Sequence, residues 1–329
     1  MSTDIPELIE RVQARRPQAI ARAISVLERR ERPADELLAA LYPHGGRAHI
    51  VGVTGPAGSG KSTMVSELAL ELRRRGRTVG ILAIDPSSSY SGGAILGDRV
   101  RMDALSGDDG VYIRSLATRG ATGGLSRAAL DAVDVLDAAG VDVILLETVG
   151  VGQSEVDVIS VAHTIVVVSV PGMGDDIQAI KAGLMEIADI HVVNKSDHHG
   201  AGRTVADLRD MVRLSRRFEG PGWRPPVLTT QATAGEGIAT VIDNVDEHRT
   251  SDTGQEAQQS RLRRNAGRRL RWALHDAIDD TFHRGESSFD AIVERLVTRD
   301  LSPTQAAAEL LTHYSAPLAD ASGPARTGA

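Results

Sequence analysis

The sequence predicts an α/β protein built on a doubly wound, mostly parallel sheet, and three observations predict it. Short β-branched runs recur between His49 and Thr230, and most are apolar throughout, as parallel strands covered on both faces are. Longer stretches with apolar residues at helical spacing separate them, which spells repeated βαβ units. An uninterrupted G-x-x-x-x-G-K-S joins the first run to the first of those helices.

Taken in order, residues 5 to 42 carry Ile5, Leu8, Ile9 and Val12, then Ile20, Ala23, Ile24 and Leu27, at the spacing of two or three amphipathic helices. The "PHGGR" at 43–47 ends that pattern, so residues 1–46 read as a helical extension. The strands follow as "HIVGVTG", "TVGILAID", "VDVILLET", "TIVVVSV", "IHVVNK" and "PPVLTT", with helices near 62–75, 124–139, 175–187, 202–217 and 236–249. Residues 47–250 therefore form the main domain. The strands stop at the polar stretch "RTSDTGQEAQQS" (249–260), and from Arg261 to about His313 the periodicity is helical. Residues 255–315 make a C-terminal helical region, and 316–329 a frayed, disordered tail.

Composition narrows the function classes. The 329 residues suffice for a full α/β domain plus something smaller. A net charge of −7 argues against a dedicated nucleic-acid binder, which needs a basic surface to displace phosphate counterions. With no cysteine, the chain has no disulfide, thiolate metal site or cysteine nucleophile. Charges interrupt the first thirty residues, so no secretory signal is expected there. The most apolar run, "HTIVVVSVPG", is too short to span a bilayer. A cytoplasmic protein with no membrane partner is expected.

The loop Gly55-Pro56-Ala57-Gly58-Ser59-Gly60-Lys61-Ser62, with Thr63 following, predicts a phosphate-loop (P-loop) nucleotide site. Its glycines let successive N–H groups curl inward around phosphate oxygens, and the helix that follows adds the positive end of its dipole. Lys61 then reaches the β- and γ-phosphates, and Ser62 ligates Mg²⁺. A glycine-rich turn that binds nothing is the competing reading. A divalent ion on a triphosphate takes oxygen ligands, and Asp85 and Glu147 fall at strand ends where ligands of open α/β sheets gather. Asp98 lies in the glycine-rich connection "SGGAILGDR", where a plain loop charge competes as the explanation.

The base is read from "NKSD" at 194–197, directly after a strand. Asp197 is expected to accept from the guanine N1–H and exocyclic amine, Asn194 to support the O6/N7 edge, and the Lys195 stem to pack beside the ring. A site built this way rejects adenine because its buried polar groups would be left unpaired. Gln231-Ala232-Thr233 stands where such proteins carry a Ser-Ala loop that helps to hold the base, with Ala232 the expected backbone contact. "ETVGVGQSE" (147–155) fits a D-x-x-G element with Glu in place of Asp, so that Gly150 donates to the γ-phosphate and the following stretch switches with its loss. Gln153 and Glu155 are the candidates for orienting the attacking water, beside Lys61 as the charge that assists catalysis.

Together, "GVTGPAGSGKST", "ILAIDPSSSYSGGAILGDRVRM", "LLETVGVGQSE", "PGMGDDIQAIKAGLMEIADI" and "NKSD" resemble the MeaB-type GTPase chaperones of methylmalonyl-CoA mutase, relatives of the methylmalonic aciduria type A protein once labelled arginine/ornithine transport kinases. The resemblance spans roughly residues 45 to 245. It implies a Mg²⁺-dependent GTPase, cycling between GTP and GDP with slow intrinsic turnover. The implied partner is a B12-dependent acyl-CoA mutase, whose adenosylcobalamin loading the GTPase gates and whose activity it protects or restores. It also implies a homodimer through the C-terminal helices, a metal set of Ser62, Asp85, Asp98 and Glu147, and a third switch over Val170 to Lys181. Gln231 departs from the usual Ser of the base loop.

Two other readings stand beside this one. A P-loop kinase acting on a small molecule or a protein would need an acceptor site with a base, and no distinct acceptor motif flanks the loop. A metallochaperone GTPase would show a His-rich or Cys-bearing site, and the pair His198-His199 is thin support for one.

Overall fold

The computed structural model describes residues 4–30, 33–85, 105, 107–117, 124–148, 159, 161–172, 187–214, 222–283 and 286–310. These fall into two compact units, residues 1–267 and 268–329.

The first unit opens with α1 (Ile5–Gln13), α2 (Pro17–Glu28) and α3 (Ala34–Leu41). Asp4 caps α1 by accepting from the Glu7 N–H, and Pro sits in the first turn of both α1 and α2, where its missing donor costs nothing. The predicted apolar stripes are the buried ones: Ile5, Leu8 and Val12 in α1, then Ile20, Ala23, Ile24 and Leu27 in α2.

The strands are β1 (His49–Thr54), β2 (Val79–Asp85), β3 (Val111–Ala117), β4 (Val143–Thr148), β5 (Thr164–Ser169), β6 (Ile190–Val193) and β7 (Val227–Thr229). They form one seven-stranded sheet in the order β3-β2-β4-β1-β5-β6-β7, and every pairing is parallel. The helices between them are α4 (Lys61–Arg74), α5 (Gly124–Ala138), α6 (Ala201–Leu214) and α7 (Ile238–Thr250). Alternate strand residues such as Val51, Val53, Ile81 and Val166 pack with Met64, Leu68 and Leu72 of α4 and with Val241 and Ile242 of α7. The other face meets α5, on which α2 rests in turn.

Strand β3 was absent from the sequence-based expectation, and its position explains why. It is an edge strand paired only with β2, and "VYIRSLA" breaks the apolar run with Tyr112 and Arg114. Arg114 reaches α2, donating to Ser25 Oγ at 2.9 Å and pairing with Glu28 at 3.0 Å. The predicted helix at 175–187 lies almost wholly outside the described residues.

The polar stretch 249–260 is helical: it ends α7 and begins α8 (Asp252–His283). Arg261 holds α8 to the sheet. It is buried, donates to the carbonyls of Ala162 and His163, and forks onto both oxygens of Asp189 at 3.0 and 2.9 Å. Asp189 also accepts from the Ile165 N–H, and its carbonyl accepts from Trp223 Nε1. His248 lies 3.6 Å from the same carboxylate, and its Nδ1 shares a hydrogen bond with Thr164 Oγ1, which in turn meets His49 Nε2.

In the second unit, α9 (Glu286–Val297) packs Ile292 against Ala306 and Leu310, and Arg295 pairs with Glu309 at 2.6 Å.

Candidate nucleotide-binding site

Because every strand of the sheet runs the same way, the segments that leave them collect along one edge. The P-loop leaves β1, Asp85 closes β2, Glu147 and Thr148 end β4, Ser169 ends β5, Asn194 follows β6 and Thr230 follows β7. The chain reverses its direction of winding around β1, since β2 to β4 lie on one side and β5 to β7 on the other.

The loop is shaped by two glycines in backbone conformations that side chains rarely adopt. Gly55 has φ 151°, and a Cβ there would sit 2.1 Å from the Val168 carbonyl oxygen. Gly60 has φ 86°, and its Cβ would meet Asn194 Nδ2 at 2.5 Å. Gly60 caps α4 with no side-chain hydrogen bond, so the first N–H groups of that helix are left for a ligand. Pro56 and Ser59 are buried, Ala57 and Gly58 are exposed, and Thr63 is half-buried on the first turn of α4.

Lys61 folds back over this loop. Its Nζ donates to the carbonyls of Gly55 and Pro56, at 2.8 Å each. Burial lowers its pKa, and the charge of Glu147 pulls in the opposite direction. Phosphate oxygens within reach of this amine would offer it anionic acceptors, which bind an ammonium more strongly than these neutral carbonyls do.

Ser62 Oγ donates to Glu147 Oε1 at 2.5 Å, and Glu147 is 4% exposed. Asp85 lies on the neighbouring strand, one residue past the Ile84–Thr148 pair. Hydroxyl and carboxylate oxygens are the donor set that Mg²⁺ prefers, and the Ser62–Glu147 contact brings two of them together. Ser59 Oγ and Ser169 Oγ are buried along this edge without a hydrogen-bond partner among the described residues, which an occupant rich in oxygen would satisfy.

Asn194 ties this loop to the other predicted motif. Its Nδ2 donates to the Ser59 carbonyl at 2.9 Å, and its Oδ1 accepts from Thr230 Oγ1 and the Ala232 N–H, both at 3.1 Å. A carboxamide has two donors and two lone pairs, so one N–H is left to meet an acceptor such as O6 or N7 of a purine. Lys195, at φ 56°, lays its amine on the Gly58 carbonyl at 3.0 Å. Asp197 is 45% exposed, with His198 Nε2 3.8 Å from its carboxylate. The Gln231–Glu236 bridge closes the loop that carries buried Ala232 and exposed Thr233. Thr230 escaped the sequence reading because it looked like the last residue of a strand.

Gly150, Gln153, Glu155 and Asp98 lie outside the described residues, as does the side chain of Asp85. Of the segment Val170 to Lys181, only Val170, Pro171 and Gly172 are described.

A family model described as "Methylmalonyl Co-A mutase-associated GTPase MeaB" matches residues 18–287. The chain belongs to this family. It is 46% identical over 312 residues to a Pyrococcus abyssi protein whose description is GTPase, covering 93% of this chain and 96% of that one. It is 42% identical over 200 residues to the mouse methylmalonic aciduria type A homolog, covering 60% of this chain and 48% of the mouse protein. The solved structure of a LAO/AO transport system kinase superposes with a TM-score of 0.64 at 25% identity, covering 96% of this chain and 99% of that one. The MeaB match takes in all of α2 but Pro17, together with α3, the whole sheet and all of α8.

Proposed function

We propose that this MeaB-family GTPase is a Mg²⁺-dependent, nucleotide-switched chaperone of an adenosylcobalamin-dependent acyl-CoA mutase, methylmalonyl-CoA mutase first among them. In this reading it gates cofactor loading and protects or reactivates the enzyme. The observation that carries the nucleotide half is the carboxamide of Asn194, bonded at once to the phosphate loop and to the base loop. The family's description and the likeness to the methylmalonic aciduria protein support the mutase half.

Lys61 compensates the β- and γ-phosphates, the N-terminus of α4 adds its dipole, and Asp197 selects guanine over adenine. Ser62, Asp85, Asp98 and Glu147 would hold Mg²⁺, which when bound neutralises charge on the phosphates. Glu147 is the penultimate residue of the buried central strand β4, and the chain continues from Thr148 into residues 149–155. There Gly150 would sense the γ-phosphate, and Gln153 or Glu155 would orient water. Hydrolysis in this arrangement is slow until a partner orders that segment. Residues 170–181 would pass the nucleotide state to the mutase.

We read the working unit as a cytoplasmic homodimer. Leu270, Leu274 and Ile278 of α8 are exposed at a four-residue spacing, the apolar stripe a second helix would cover. No helix among the described residues is long and apolar enough to cross a membrane.

The test is capture of a purified B12-dependent acyl-CoA mutase with GDP against a non-hydrolysable GTP analogue, with phosphate release followed in parallel. The proposal expects capture that differs at least severalfold between the nucleotides, and phosphate release that rises when the mutase is added. Capture indifferent to nucleotide rules out the switch, and phosphate appearing on a small molecule or protein would mean a kinase instead.

A further inference from the structure

At the edge of the sheet opposite the nucleotide site, a cavity of about 770 Å³ opens among the end of α1, the segment leading into β1, the turns from α4 into β2 and from α5 into β4, and the end of α7. That volume lies within the usual range for small-molecule sites. Its walls carry the guanidinium groups of Arg15, Arg47, Arg77 and Arg249 against the single carboxylate of Asp142. In a chain of net charge −7, this is a local reversal of sign.

The partners of these groups decide how much of the charge remains. Arg77 is neutralised by Asp246, which it grips with two hydrogen bonds of 2.7 and 2.6 Å. Asp142 is occupied as well, since one of its oxygens accepts from the Thr78 N–H and hydroxyl at 2.7 Å each. Arg15 donates instead to the carbonyls of Ala139 and Gly140, at 3.1 and 2.7 Å, and Arg47 to the carbonyl of His44 at 3.2 Å. Neutral carbonyls fix a guanidinium in place without cancelling its charge. Arg249 has no hydrogen bond or ion pair among the described residues. The summed field is felt nearby: burial pushes the Asp142 carboxyl up, yet the Thr78 hydrogen bonds and the charges of Arg15 and Arg77 outweigh it and leave its pKa below the usual range.

Three guanidinium groups that make no ion pair among the described residues, two of them already oriented, make a receptor for phosphoryl oxygens, which match the planar fork of arginine. The lining has no Phe, Tyr or Trp, and its one ring is the exposed imidazole of His44, which offers a nucleobase far less stacking surface than those side chains do. Apart from Gln13 and His44, the remaining wall, including Ala138 and Val141, is small and aliphatic. We propose that this cavity is a second ligand site, separate from the phosphate loop, and that it binds a small non-nucleotide polyanion bearing two or more phosphoryl groups.

The experiment is isothermal titration of inorganic pyrophosphate, at low salt, into the full chain saturated with Mg²⁺ and GDP. The expected result is binding of one pyrophosphate per chain, weakened at least tenfold in Arg47→Ala/Arg249→Ala and severalfold in Arg249→Gln alone. Arg249 has no partner to lose among the described residues and Arg47 loses only an exposed hydrogen bond to the His44 carbonyl, while Arg15 and Arg77 stay in place, so thermal melting should change little. Absence of binding to the GDP-saturated chain, or equal affinity in these variants, overturns the inference. A fault in the guanine-nucleotide reading would show earlier, as failure of GDP to bind when it is titrated alone before pyrophosphate is added, so the two failures look different.

Discussion

Asn194 donates from its side-chain amide to the backbone carbonyl of Ser59 at 2.9 Å, joining two segments 135 residues apart in the chain. The loop that follows β6 and the loop that follows β1 are therefore one structure. Asn194→Ala would leave the Ser59 carbonyl, the Thr230 hydroxyl and the Ala232 N–H unpaired in buried surroundings. The expected cost is about 1–3 kcal/mol of stability. GDP affinity should fall tenfold or more, read by titration with a fluorescent GDP analogue. Unchanged affinity would mean that the link between the loops is dispensable.

Glu147→Gln tests the metal reading without breaking the fold, since an amide oxygen can still accept from Ser62. Phosphate release should become slower, and the Mg²⁺ concentration needed for half-maximal rate should rise at least tenfold, because a charged oxygen ligand is gone. A Mg²⁺ profile that matches the original protein would remove Glu147 from the metal set.

The acid side of the stability profile should be steep. Burial pushes the pKa of His191 down to about 4, and neither of its ring nitrogens has a hydrogen-bond partner among the described residues. His163 is held at about 4 too, chiefly by burial and then by the charge of Arg261. Between pH 6.5 and 4 the unfolded chain takes up protons that these rings refuse in the fold, so stability is full above pH 6.5 and is lost as pH falls towards 4. Each ring contributes a slope of up to about 1.4 kcal/mol per pH unit in that window. His191→Leu should remove one such contribution, measured as the urea midpoint between pH 7 and 5. The same slope in the variant would contradict this.

Arg261→Met should destabilise the first unit by about 3–5 kcal/mol, since it strands the buried carboxylate of Asp189. Replacing both residues, Arg261→Met with Asp189→Leu, should recover part of that loss in a thermal melt. A single variant that melts with the original protein would mean that α8 is anchored by other contacts.

What the sequence made legible was local. The P-loop, the strand-end carboxylate Glu147 and the turn after β6 each fit in a window of a few residues, where spacing and residue type carry the chemistry. Strand β3 did not, because Arg114, which reaches across to Ser25 and Glu28 of α2, and Tyr112 interrupt its apolar run. The helical nature of 249–260 was hidden by its polarity, although Gln, Glu, Ala and Arg are good helix formers. The links between distant parts were not legible at all. Thr230 and Ala232 on Asn194, and Arg261 on Asp189, are pairings that only the folded chain brings together.

In the proposed function, base recognition separates this site from other phosphate loops and rests on the Asp197 carboxylate. The most direct measurement compares GDP and XDP affinity in the original protein and in Asp197→Asn. The account predicts that GDP affinity falls by roughly ten- to a hundredfold in the variant, the worth of a charge-assisted hydrogen-bond pair, while XDP becomes the better ligand. GDP binding that is unchanged in Asp197→Asn, or an original protein that binds ADP as tightly as GDP, would contradict it.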